Sequence, residues 1–214
     1  MIPTPWSQGR LTTMAVAALL VAGGLFATAT ATHQPADKMA VSGASFDVMT
    51  APLVDGAVSE VHTLLSGVLR TSSPTDLVIH ANAECALWTD VSTQGNGMSE
   101  AQASVKLWVE LDGVAVPVSS DDTTEPGKVV FCNRVHGMEV MNLDDEDAHF
   151  RQYLRTRTAN AFDWVTMDVG PGIHTIELKG QLEAQVTGMG DASAGVGKRT
   201  LLVEPEKLSN DASI

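Results

Sequence analysis

The chain is poor in positive charge, and that absence limits its partners. Thirteen Lys and Arg stand against 26 Asp and Glu in 214 residues, a formal charge of −13. One of those cations, Arg10, lies in the first 31 residues, which hold no Asp or Glu, so the remainder carries −14. Binding to nucleic acid or anionic lipid needs clustered Lys and Arg. Here Arg151, Arg155 and Arg157 are the one local concentration of three, which excludes nucleic acid as the expected partner.

Cysteine is scarce too, with only Cys85 and Cys132 present. No C-x-x-C or H-x₃-H spacing accompanies them, so a four-ligand zinc site is not indicated. Catalytic signatures are missing as well. H-E-x-x-H and G-x-S-x-G do not occur, and Ser66-Gly67 lacks the leading glycine of a nucleophile elbow. Gly188-Met189-Gly190 and Gly195 to Thr200 look loosely like phosphate loops. They lack the G-x-x-x-x-G-K-[ST] spacing and fall between predicted strands, with no helix N-terminus to complete a cradle.

One long apolar run is present. Met14 to Ala27 follows Arg10 and precedes Ala27-Thr28-Ala29 and Ala29-Thr30-Ala31, both small–x–small sites. This is the pattern of a secretory signal peptide, residues 1–31, cleaved after Ala29 or Ala31. At about 14 residues the run is shorter than the roughly 20 needed to cross a bilayer. The alternative is an uncleaved N-terminal membrane anchor; no later segment is apolar enough to span. Export implies a secreted or cell-surface location, where Cys85 and Cys132 are expected to form a disulfide.

Residues 32–55, small and polar, read as a flexible linker. Residues 56–205 read as one domain and 206–214 as a polar tail. Within the domain period-2 patterns dominate. Ala57 to Leu69 is assigned as a strand despite a helix-like stripe. Leu77, Ile79, Ala81, Ala83, Cys85 and Leu87 share one face of the next strand. A loop follows at Ser92 to Ser99. Val105, Leu107, Val109 and Leu111 alternate with Lys106, Trp108 and Glu110. Asp112-Gly113 then marks a hairpin, because both turn positions need positive φ. Lys128 to Val135 and Met138 to Leu143 read as two strands, and Asp144 to Arg157, acidic first and basic last, as a short helix in a crossover. Phe162 to Val169, Ile173 to Val186 and Arg199 to Val203 complete the strands, with a loop at Gly188 to Gly195. The expected fold is an all-β antiparallel sandwich, immunoglobulin-like or jelly-roll, with one helix.

Three features are candidates for chemistry. Asp144, Asp145 and Asp147 are calcium candidates, which Asp121-Asp122 could join, although consecutive carboxylates on a helix N-terminus more commonly face solvent. His174 opens a strand and is expected to be structural. Trp88, Trp108 and Trp164 each lie in a predicted strand; Trp108 alternates with the apolar face, is expected to point outward beside Lys106 and Glu110, and is the ligand-binding candidate. The stretch Asp163 to Leu178 (DWVTMDVGPGIHTIEL) resembles a strand–turn–strand pattern of jelly-roll carbohydrate-binding modules. The resemblance implies a β-hairpin and assigns no binding residue. The sequence thus describes an exported binding or structural module whose partner is a glycan or a protein. The alternative is an extracellular hydrolase, possible with metal, needing Asp144 or Asp147 to meet His136 or His149 in a cleft.

Overall fold

A computed structural model describes residues 38–50, 57–118, 124–142, 144–206 and 208. The signal segment, most of the tail and Asp121-Asp122 lie outside the described residues. In chain order the strands are β1 (Met39–Gly43), β2 (Asp47–Thr50), β3 (Ala57–Val58), β4 (His62–Thr71), β5 (Thr75–Gln94), β6 (Gly97–Leu111), β7 (Val114–Ala115), β8 (Val129–Val140), β9 (His149–Val169), β10 (Gly172–Thr187) and β11 (Met189–Glu206).

They form two antiparallel sheets. The first runs β1-β11-β5-β9, with β2 also paired to β11. The second runs β3-β10-β6-β7, with β4 on β10 and β8 on β6. Because β11 gives its other edge to β5, β1 and β2 share one lane, and by the same logic β3 with β4 and β7 with β8. Each sheet is therefore four lanes wide. The connections β4–β5, β5–β6, β8–β9, β9–β10 and β10–β11 all pass from one sheet to the other.

The alternation anticipated in β5 and β6 is present and builds the core. Leu77, Ile79, Ala81, Ala83, Cys85, Leu87 and Val91 of β5 are buried against Val105, Leu107 and Val109 of β6 and Ile176, Leu178 and Leu182 of β10. Asp112 and Gly113 take φ values of 52° and 79°, the left-handed pair that a two-residue hairpin requires. Trp164 is fully buried and its Nε1 donates to Gly127 O at 2.8 Å, pinning β9 to the turn before β8.

Side chains join the sheets at their margins. Cys85 of β5 is bonded to Cys132 of β8, with Cα atoms 6.5 Å apart. Near it Asn160 Nδ2 donates to Phe131 O at 2.8 Å, and the buried His136 ring contacts Thr89 Oγ1 and Gln152 Oε1. At the opposite margin Arg199, 6% exposed, points between the sheets. Its guanidinium donates to Leu64 O (2.9 Å), Ser45 O (2.8 Å), Ser45 Oγ (3.1 Å) and Gly197 O (3.1 Å), and it pairs with Asp47.

Several sequence expectations are corrected. No helix occurs among the described residues. The segment expected to be helical enters β9, where Phe150 to Arg157 pair residue by residue with Thr93 to Ala86 of β5. Tertiary pairing outweighs a helical stripe of only three apolar residues. The flexible linker at 32–55 contributes β1 and β2, held on β11 by a full ladder. The loop at 92–99 shrinks to a turn at Gly95-Asn96, and that at 188–195 to a turn at Gly188, whose φ is 77°. The two strands expected between 128 and 143 are one, because Gly137 is accommodated in β8 without a break.

The disulfide closes a loop of 47 residues, and chain entropy assigns it about 4 kcal/mol. Urea unfolding of a Cys85→Ser/Cys132→Ser double variant should show a loss of that order. A loss below about 1 kcal/mol would mean that the β8–β9 margin is held by its other contacts.

Candidate ligand-binding face

The outer face of the first sheet carries the most distinctive surface. With Ile79 to Leu87 facing the core, the residues between them face out: Asn82, Glu84, Ala86, Trp88 and Asp90. The β9 residues opposite these are Ala161, Ala159, Arg157, Arg155 and Tyr153 in the same order. At about 3.3 Å per residue this row extends roughly 26 Å. Three depressions follow it. One of about 590 Å³ is lined by small residues such as Ser42, Ala159 and Ala161 together with Asn82, Glu84 and Lys198. One of about 470 Å³ lies among Phe46, Ala86, Trp88, Arg155 and Arg157. The third, about 480 Å³, lies among Val48, Trp88, Asp90, Tyr153 and Asp191. Trp88 belongs to both of the last two.

Phe46 reaches this face from the β1–β2 connection. Its ring meets Trp88 edge-on, with centroids 5.8 Å apart and planes at 74°. It lies over Gly195, where a Cβ would collide with the ring, and a Cβ on Gly197 would crowd it as well. The two glycines that look like a phosphate loop in sequence therefore provide the flat backbone on which Phe46 sits. The segment carrying Phe46 is anchored through Ser45 and Asp47 by Arg199.

Charges on this face are mostly paired. Arg151 Nε donates to both carboxylate oxygens of Asp90, at 3.0 and 2.8 Å, which raises the pKa of the guanidinium. Arg157 pairs with Glu84, and that hydrogen bond holds the Glu84 carboxyl below its ordinary range. Arg155, opposite Trp88 and exposed, has no hydrogen bond or ion pair among the described residues.

The sequence-predicted residues fall elsewhere. Trp108 does lie on the outer side of β6 but is only 5% exposed. Lys128 Nζ sits 4.9 Å from its ring centroid and its Nε1 donates to Glu110 Oε1 at 2.9 Å, so the expectation of an exposed ring is not met. Outward direction on a sheet does not guarantee exposure when long side chains from adjacent positions fold over it. Asp144, Asp145 and Asp147 occupy a turn before β9 and not a helix N-terminus. Asp145 Oδ1 accepts from Asp147 N at 3.0 Å, and the turn is tied to the β5–β6 connection by Gly95 N donating to Ala148 O at 2.8 Å. Among the described residues no three His, Cys, Asp or Glu side chains converge as a metal would require. His136 is buried with both ring nitrogens engaged, and His149 opens β9 opposite Gln94. Neither has a hydrogen bond or ion pair with Asp144 or Asp147 among the described residues.

No known family matches the chain, and no curated protein matches it in sequence. Among solved structures it is similar to infectious bursal disease virus Gx strain, with a TM-score of 0.38 and 16% identity over 81% of this chain and 32% of that one. It is also similar to dimeric latent PorU from Porphyromonas gingivalis (TM-score 0.21, 10% identity, 80% of this chain and 13% of that one). A CocE/NonD family hydrolase from Staphylococcus aureus gives 0.20 and 8% over 73% and 37%. The chain thus spans well under half the length of each, and similarities this distant carry no argument about its function.

His174 is structural in the described fold. Its Nδ1 lies 2.8 Å from Asp112 Oδ2 and its Nε2 2.9 Å from Gly170 O, so both nitrogens face acceptors. Only the imidazolium donates from both. The Asp112 contact accordingly raises the His174 pKa, and the His174 contact lowers that of Asp112. The contribution of His174 is full below its unfolded pKa and is lost as pH rises through the raised folded value; that of Asp112 is lost as pH falls into the acid range. The stability advantage of wild type over His174→Gln, measured by urea unfolding, should be largest near about pH 5–6 and shrink toward about pH 9. An advantage that grows with pH would contradict the pairing.

Proposed function

We propose that this chain is an exported, cell-surface or secreted binding module built on a jelly-roll sandwich, and that it binds an extended glycan along the outer face of its first sheet. The supporting observation is the row of three depressions along this face, two of them lined by Trp88, with Phe46 and Tyr153 beside it. Aromatic rings offer apolar faces to pyranose rings, and paired arginine–carboxylate groups offer fixed donors and acceptors to hydroxyls. The lane order supports the jelly-roll assignment: the late strands β11 and β10 each sit between an early lane and a middle strand, β11 between β1/β2 and β5 and β10 between β3/β4 and β6, as in a jelly roll. Export is supported by the leader-like first 31 residues together with the Cys85–Cys132 bond.

Calorimetric titration against a panel of soluble plant, algal and bacterial polysaccharides tests the reading. At least one should bind, and Trp88→Ala should weaken it by about tenfold or more, the equivalent of roughly 1.4 kcal/mol, while Trp88→Phe keeps most of the affinity. Binding that Trp88→Ala leaves intact would place the site elsewhere. No binding to any member of the panel would remove the glycan reading.

A further inference from the structure

The β9 strand ends its sheet, with one edge bonded to β5 and no strand on the other among the described residues. From 149 to 159 every residue is exposed. Three of them are large and apolar: Phe150 at 37%, Tyr153 at 55% and Leu154 at 40%. Of the usual protections of an edge this stretch carries only charge, in Arg151, Arg155 and Arg157, and two of these are already paired with Asp90 and Glu84. The stretch contains no proline or glycine, and its pairing with β5 shows no register shift there. A flat edge of this kind is a template for another strand.

We propose that this edge pairs antiparallel with the same edge of a second copy, about a two-fold axis passing through Leu154. Parity restricts the register. The axis must pass through a residue, because an axis between two residues would set the outer face of one copy against the inner face of the other. Centring on Leu154 places Tyr153 opposite Arg155 of the second copy, twice by symmetry. The unpartnered guanidinium then meets an exposed aromatic ring, a cation–π pair in each half. Arg151 comes opposite Arg157 of the second copy, and each already carries its own carboxylate, Asp90 or Glu84, so the like charges are offset. On the inner side Leu154 meets Leu154, and Gln152 faces Thr156. The result is one eight-lane sheet in which the outer-face rows of the two copies become continuous across the axis. Eleven residues per copy are fewer than the 20–30 of a standard interface, so the dimer is a weak one, in the micromolar range.

Sedimentation equilibrium of the purified chain from about 1 to 500 μM tests this. Reversible dimerisation is expected, and Leu154→Lys, which sets two cations on the axis, should raise the dissociation constant at least tenfold with an unchanged melting temperature. Leu154→Cys should form a disulfide-linked dimer under mild oxidation, whereas Thr158→Cys, which this register separates from its own copy by about 26 Å, should not. A monomer at every concentration, a dimer indifferent to Leu154→Lys, or equal crosslinking at both positions would overturn the proposal. Strand addition by a different, acidic polypeptide would appear as a monomer here and counts against it.

Discussion

Among the described residues no strand of one sheet pairs with a strand of the other, so the position of the two sheets rests on packed side chains and on the groups that join their margins. Arg199 is the most consequential of these. It is a buried cation whose donors are used by the carbonyls of Leu64 and Gly197, by Ser45 and by Asp47. A buried cation left without acceptors costs several kcal/mol, which makes the loop that supplies them a required part of the fold. Arg199 therefore reaches across to β4 and at the same time fixes the β1–β2 connection.

That second effect creates the outer face. Between Ser45 and Asp47 lies Phe46, and once its neighbours are held its ring has one place to rest, on the bare backbone at Gly195 and Gly197 and against the edge of Trp88. The opposite margin behaves differently. The disulfide and a few side-chain hydrogen bonds tie β8 to β5 and, at Gln152 and Asn160, to β9, but the backbone edge of β9 has no strand partner among the described residues. One margin thus shapes the depressions of the outer face, and the other leaves a strand edge without a partner among the described residues.

The parts legible in the sequence are those where local pattern and tertiary environment agree. β5 and β6 alternate cleanly because one face of each is core, and Asp112-Gly113 is a hairpin because few other residue pairs accept its φ values. β9 was obscured by the spacing of Phe150, Tyr153 and Leu154, which fits a helix as well as it fits alternate faces of an exposed strand. The polar stretch around Phe46 reads as a linker because its pairing partner, β11, is some 150 residues away. The choice between Trp88 and Trp108 could not be made from alternation, since both point outward. Lys128 and Glu110 cover one, while the other, half-buried with Phe46 against its edge, lines two of the depressions. Gly195 and Gly197 were the available signal, visible only once the ring above them was known.

The central claim is that Trp88, and neither Trp108 nor Trp164, faces the ligand. Fluorine NMR of the chain labelled with 5-fluorotryptophan, its resonances assigned by single Trp→Phe substitutions, tests this most directly during titration with soluble polysaccharide. The account predicts that the Trp88 resonance moves with saturation while those of Trp108 and Trp164 stay in place. Movement confined to Trp108, or equal movement of all three, would contradict it.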